Sequence, residues 1–205
     1  MGLYLVESIK GANIFGKLAF IFLLIAMFLG WIAYTTANWC RIYITPDDDD
    51  YVGYGIWRVA DNSEPYSADF FVGTDKYSGR VGEHNDGWLL PWFGAFQAFA
   101  TFGFISLNVG FFLVVLFIFV GPCKSNKDMG FWNAINCIFG SICWLIAIIL
   151  FAAYFEDFDK KPQFDEPNVS YSFVFAIFTF ALQLATGIVL LLTNRGGGAV
   201  AQDRK

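Results

Sequence analysis

Asn38-Trp39-Cys40-Arg41-Ile42-Tyr43-Ile44, then Asp47-Asp48-Asp49-Asp50, then Gly53-Tyr54-Gly55-Ile56-Trp57-Arg58: this stretch decides the fold. β-branched and aromatic residues alternate with others over Arg41–Ile44 and again over Ile56–Val59. Pro46, the acidic run and Gly53 lie between them, so the pattern predicts a β-hairpin bracketed by two tryptophans. The hairpin leaves directly from Leu18–Ala37, which is uncharged and rich in Phe, Leu and Ile. That run supplies the roughly 20 residues a hydrocarbon core requires. A polar, aromatic loop mounted on a membrane helix is the first reading.

Working outward, three further apolar runs follow, at about 92–120, 131–154 and 171–193. With the first, at about 18–38, they predict four membrane spans. The fold class expected is a membrane all-α four-helix transmembrane bundle carrying a small extracellular antiparallel β-sheet. One domain over 1–205 is expected, with outer loops at about 39–91 and 155–170 and a disordered Gly-rich tail at 194–205. Composition agrees: 57% of residues are hydrophobic and 20% aromatic, too apolar for an ordinary soluble domain. The run from Leu18 is too long for the core of a cleavable signal and lacks a small-residue cleavage site.

Charge narrows the function classes. Net charge is −5, which argues against nucleic acid, because a phosphate backbone demands a basic patch. No Walker, dinucleotide, HExxH or CxxC motif occurs, and the one histidine, His84, cannot build a histidine metal site. No cofactor is expected. No charged residue lies within a predicted span, and intramembrane charge is what usually marks an ion pathway or proton relay. An enzyme or transporter is therefore disfavoured.

With four spans both termini share a side. Lys10, Lys17, Lys124, Lys127, Arg195, Arg204 and Lys205 lie on it; Arg41, Arg58, Lys76, Arg80, Lys160 and Lys161 lie on the other. The first set sits in shorter segments close to the spans, which places the termini in the cytoplasm. Polar residues within spans should avoid lipid: Asn108 is expected to face another helix as a satisfied packing group, and Gln183 and Thr186 are the expected interhelical hydrogen-bonders.

The order of these features resembles the claudin superfamily: claudins, peripheral myelin and epithelial membrane proteins, and stargazin-type channel subunits. Trp39 with Arg41-Ile42 resembles the opening of that family's first outer strand, and Gly55-Ile56-Trp57-Arg58 its Gly-Leu-Trp motif. Phe96-Gln97-Ala98 resembles the start of its second helix. Gly121-Pro122-Cys123-Lys124 resembles the Gly-x-x-Cys turn, whose cysteine, here Cys123, is a palmitoylation candidate. Asp157-Phe158 with Pro162 resembles the second loop's Asp-Phe-x-x-Pro with one residue extra, and Tyr171-Ser172-Phe173 the start of the fourth helix. The resemblance implies a plasma-membrane protein at cell junctions. It would form a barrier or selective pore, by lateral homo- or hetero-oligomers and contact with a neighbouring cell. The alternative it implies is an auxiliary subunit tuning the gating or trafficking of an ion channel or receptor. Membrane lipid is a partner in either case.

Three departures mark a divergent member. The family's first-loop cysteine pair is missing: the first position is Ala60, and no cysteine follows until Cys123. A loop-closing disulfide typically stabilises by about 2–4 kcal/mol, so something else must hold the hairpin. Ala100 stands where an arginine is expected, and Asp203-Arg204-Lys205 where the family has a Tyr-Val ending.

Several residues keep two readings. Trp39 and Trp57 either pack the loop onto the helix tops, which is favoured, or touch a partner directly. Asp47–Asp50 is a solvated hairpin tip or sets a field that attracts cations; it lacks the ligand spacing of a calcium loop. Phe155, Phe158 and Phe164 either fold back onto the helix ends or form a contact surface. Cys40, the one cysteine on the outer side, is expected to make no bridge. Asn168-Val169-Ser170 is a glycosylation sequon expected to stay unmodified, because it lies at the mouth of the fourth span.

Overall fold

Helix α1 spans Ile14–Thr35, α2 Pro91–Phe119, α3 Lys127–Tyr154 and α4 Tyr171–Gly196. The strands are β1 (Cys40–Tyr43), β2 (Tyr51–Tyr54), β3 (Val59–Asp61) and β4 (Asn168–Val169). The structure, a computed structural model, describes residues 14–43, 51–57, 59–61, 91–120, 123, 126–155 and 168–196.

All four helices are long and apolar enough to cross a membrane. At 1.5 Å per residue, the 22 residues of α1 extend about 33 Å, close to the hydrocarbon thickness. The 29 of α2 extend about 43 Å, a surplus that tilt or projection must absorb. Their outward faces carry large apolar groups, such as Phe28 at 67% and Trp132 at 66% exposure. A water-soluble monomer rarely exposes so much apolar surface, whereas lipid accepts it. The chain is a multi-pass membrane protein. The helix ends follow from capping chemistry. Pro91 opens α2, where its missing N–H costs nothing. Asn126 Oδ1 accepts from the backbone N–H of Asp128 (2.9 Å) and Met129 (3.3 Å) to cap α3.

The sheet is antiparallel, in the order β3-β2-β1-β4. Arg41 lies opposite Gly53 and Tyr43 opposite Tyr51. Cys40 pairs with Val169 across β1 and β4, and Ala60 with Gly53 across β2 and β3. Here the structure corrects one expectation. The strand expected over Ile56–Val59 does not form as such; β1 pairs instead with Tyr51–Tyr54, and Ile56 and Trp57 occupy the bend before β3. The reason is Gly55, whose backbone presses on the end of α1. A Cβ there would lie 2.8 Å from the Ala37 Cα and would overlap the Thr36 carbonyl. The ladder cannot continue through a residue held that way. The connection at 44–50 and the further strand expected over Ser67–Val72 lie outside the described residues.

By contacts the chain gathers into two compact units. The first takes α1 to Phe28, Gly103–Ile142 and α4 from Phe178. Its core is Ala19, Leu23 and Ala26 against Leu107, Val114, Phe117, Ile118, Ala134, Cys137 and Leu190. The alanines let helix backbones approach closely, which is how helices pack where lipid removes the hydrophobic drive. Polar groups cross between helices in the same unit. Asn133 Nδ2 donates to the Gly110 carbonyl at 3.1 Å, Asn136 Nδ2 to the Ser106 carbonyl at 2.9 Å, and Gln183 Nε2 to Ser106 Oγ at 3.3 Å. Thr186 does not take the interhelical role expected of it, and Asn108 is satisfied without leaving its helix. Asn108 donates to the Phe104 carbonyl and Thr186 to the Leu182 carbonyl, each on its own helix.

The second unit takes Leu29–Phe102 and Cys143–Ile177, and so contains the sheet.

Candidate functional site

Within the second unit Trp39 joins the sheet to the helices. It is fully buried. Helix α1 ends at Thr35, so its last carbonyls have no partner inside the helix. The Trp39 indole N–H donates to one of them, the Ala33 carbonyl, at 2.6 Å. Its ring meets Phe96, Phe151 and Phe173 edge-on, with centroids 4.8, 5.0 and 6.0 Å away. The backbone of Trp39 is committed as well. Its N–H donates to the Tyr54 carbonyl at 2.8 Å, and its carbonyl accepts from Ser170 N–H at 2.9 Å. One residue thus ties β2, the end of β4 and residues on all four helices.

The Gly55-Ile56-Trp57 bend is held beside it. Ile56 is fully buried, and its carbonyl accepts from Gln97 Nε2 at 2.8 Å. Trp57 is 39% exposed. The two motif tryptophans therefore occupy different environments: Trp39 is a packing residue, while Trp57 presents a face outward. These contacts hold the bend and the start of the sheet to the helix ends. Ala60 lies in the β3 ladder opposite Gly53. Cys40 is buried, and burial pushes its thiol far above the ordinary range, so it stays protonated.

A second cluster lies on β1. The Arg41 guanidinium sits 4.3 Å from the Tyr51 ring centroid and 5.7 Å from that of Tyr171. Its Nε donates to Asn38 Oδ1 at 2.9 Å, and Asn38 Nδ2 donates to the Tyr171 hydroxyl at 2.9 Å. The sequence places Asn38 beside the hairpin and Tyr171 at the start of the fourth helix but does not join either, or Tyr51, to Arg41. The available signal was a polar pair, Asn38 and Arg41, immediately beyond an apolar helix.

Phe155 is half-buried and stacks on Phe151 at 6.0 Å, which joins it to the Trp39 cluster. Asn168 is exposed in β4, opposite Arg41. Cys123 is half-buried in the short turn between α2 and α3, where its N–H donates to the Val120 carbonyl. Asp47, Asp48, Asp49, Asp50, Arg58, Asp157, Phe158, Pro162 and Phe164 lie outside the described residues. Among the described residues no cluster of side chains suits a metal ion.

A family model described as PMP-22/EMP/MP20/Claudin tight junction matches residues 50–192, well over half of the chain. The matched stretch includes the Gly55-Ile56-Trp57 bend, α2, α3 and β4, and begins beyond Trp39. Compared one by one with curated proteins, the chain has no match.

Proposed function

The chain belongs to the PMP-22, EMP, MP20 and claudin family of tetraspan membrane proteins, and from that premise we propose that it acts at cell–cell contacts. In this reading residues 1–205 are one tetraspan domain of the plasma membrane, with cytoplasmic termini. The loops about 39–91 and 155–170 face outward and form or regulate a paracellular barrier or selective pore, through lateral oligomers and contact with the neighbouring cell. The observation that carries the reading is the rigid mounting of the sheet: Trp39 seals it to the helices while Trp57 remains outward. A surface used for recognition gains affinity from being pre-organised, because less ordering is left for the moment of binding.

Asp47–Asp50, in the β1–β2 connection, would give such a gap a cation preference. Cys123, in the turn on the cytoplasmic side, would be the place for a palmitoyl group. The deciding experiment is expression of a tagged chain in cells that lack junctions. Enrichment at boundaries between two expressing cells, and not at boundaries with non-expressing cells, supports the contact role. Uniform surface staining together with co-purification of a channel would replace it with the auxiliary-subunit role.

A further inference from the structure

Arg41 is half-buried and firmly held, yet its charge is not neutralised by the groups that hold it. Asn38 takes the Nε proton, and the Tyr51 ring lies 4.3 Å away against the cation. A ring attracts a guanidinium but does not accept the hydrogen bonds of its terminal N–H groups, which radiate in the guanidinium plane. Among the described residues no carboxylate pairs with Arg41, and none of its terminal nitrogens makes a hydrogen bond. The Tyr171 hydroxyl accepts from Asn38 and keeps its own proton to give. Among the described residues, then, the cluster offers donors and holds no acceptor for them.

Its place in the fold narrows what fits. Tyr171 is the first residue of α4, a helix long enough to cross a membrane, and its ring is exposed. The exposed rings of Trp31 and Tyr154, near the ends of α1 and α3, belong to the same unit. Aromatic rings at helix ends mark the level of the lipid headgroups. We propose that Arg41, Asn38 and Tyr171 form a seat for the phosphate of a membrane lipid headgroup. The guanidinium fork matches two phosphate oxygens, the tyrosine hydroxyl donates to a third contact, and Asn38 holds both donors in place. The seat depends on membrane depth alone, so it stands whichever side of the membrane the sheet faces, and it does not rest on the contact role.

The test uses the full chain in phosphate-free maltoside micelles, with thermal unfolding as the readout. Dioleoyl phosphatidylglycerol should raise the midpoint saturably, and dioleoylglycerol, which has no phosphate, should not. Arg41→Gln should weaken the apparent lipid affinity about tenfold, as expected for losing a charge-assisted hydrogen-bond pair. Tyr171→Phe keeps the ring and should weaken it about threefold, which preserves the test if Arg41→Gln does not fold. An equal lipid effect in wild type and both variants overturns the seat. An equal rise with inorganic phosphate overturns the lipid assignment in favour of a free anion. A rise with an acidic peptide but none with the lipid overturns it in favour of a protein partner.

Discussion

Removing the Trp39 side chain should uncouple the sheet from the helices. Trp39 is fully buried, and a large aromatic side chain buries about 150–250 Å². At about 25 cal/mol per Å² that is about 4–6 kcal/mol as an upper figure, in line with about 3–5 kcal/mol for Trp→Ala in a core. Edge contacts with Phe96, Phe151 and Phe173 are also lost. Trp39→Phe separates the terms. It keeps most of the apolar contact and leaves the Ala33 carbonyl without its 2.6 Å donor. The expected cost is about 1–3 kcal/mol, the desolvation penalty of an unpaired buried acceptor. Trp57→Ala is the control: at 39% exposure it should cost under about 1 kcal/mol. Equilibrium unfolding in detergent micelles, followed by far-UV circular dichroism, measures all three. Limited proteolysis should show residues 62–90 becoming more sensitive in Trp39→Ala than in Trp57→Ala. The reasoning fails if Trp39→Ala costs no more than Trp57→Ala, or if Trp39→Phe is neutral.

Gly55→Ala places a methyl group on the end of α1 and should destabilise by about 2 kcal/mol, seen as a lower unfolding midpoint. Cys40, buried and protonated, should react with maleimide only after unfolding, and non-reducing gels should show the same monomer for wild type and Cys40→Ser. Asn136→Leu removes the bond to the Ser106 carbonyl and should cost about 1 kcal/mol, read from the unfolding curve. If the proposed paracellular role holds, replacing Asp47–Asp50 by asparagine should lower cation over anion permeability, measured as dilution potentials across an expressing epithelium.

Two parts of this molecule were readable from its residues at different depths. Four membrane-length helices and a small antiparallel sheet show directly, because long uncharged runs have few alternatives and Arg41–Ile44 alternates as a strand does. The identity of the pairing strand was not readable. Gly53 looks like a turn residue, yet it sits within β2 opposite Arg41. Gly55-Ile56-Trp57 looks like a strand start, yet the end of α1 and Gln97 bend it away. Register of this kind is set by what the strand packs on, which lies far off in sequence. Helix phase was hidden for a related reason. Helices that are apolar on every side do not declare an inward face, so Thr186 looked like a crossing residue while Asn133 and Asn136 make the bonds. The Arg41 cluster was hidden because Tyr171 lies 130 residues beyond it and Tyr51 across the hairpin.

The orientation of the sheet is tested most directly by labelling intact cells with a membrane-impermeant maleimide. The background is Cys123→Ser, with one cysteine added either as Ser78→Cys or as Gln202→Cys. The account predicts that the first is labelled on intact cells and the second only after permeabilisation. Labelling of position 202 but not of 78 would put the sheet on the cytoplasmic side and contradict a role in contact between cells.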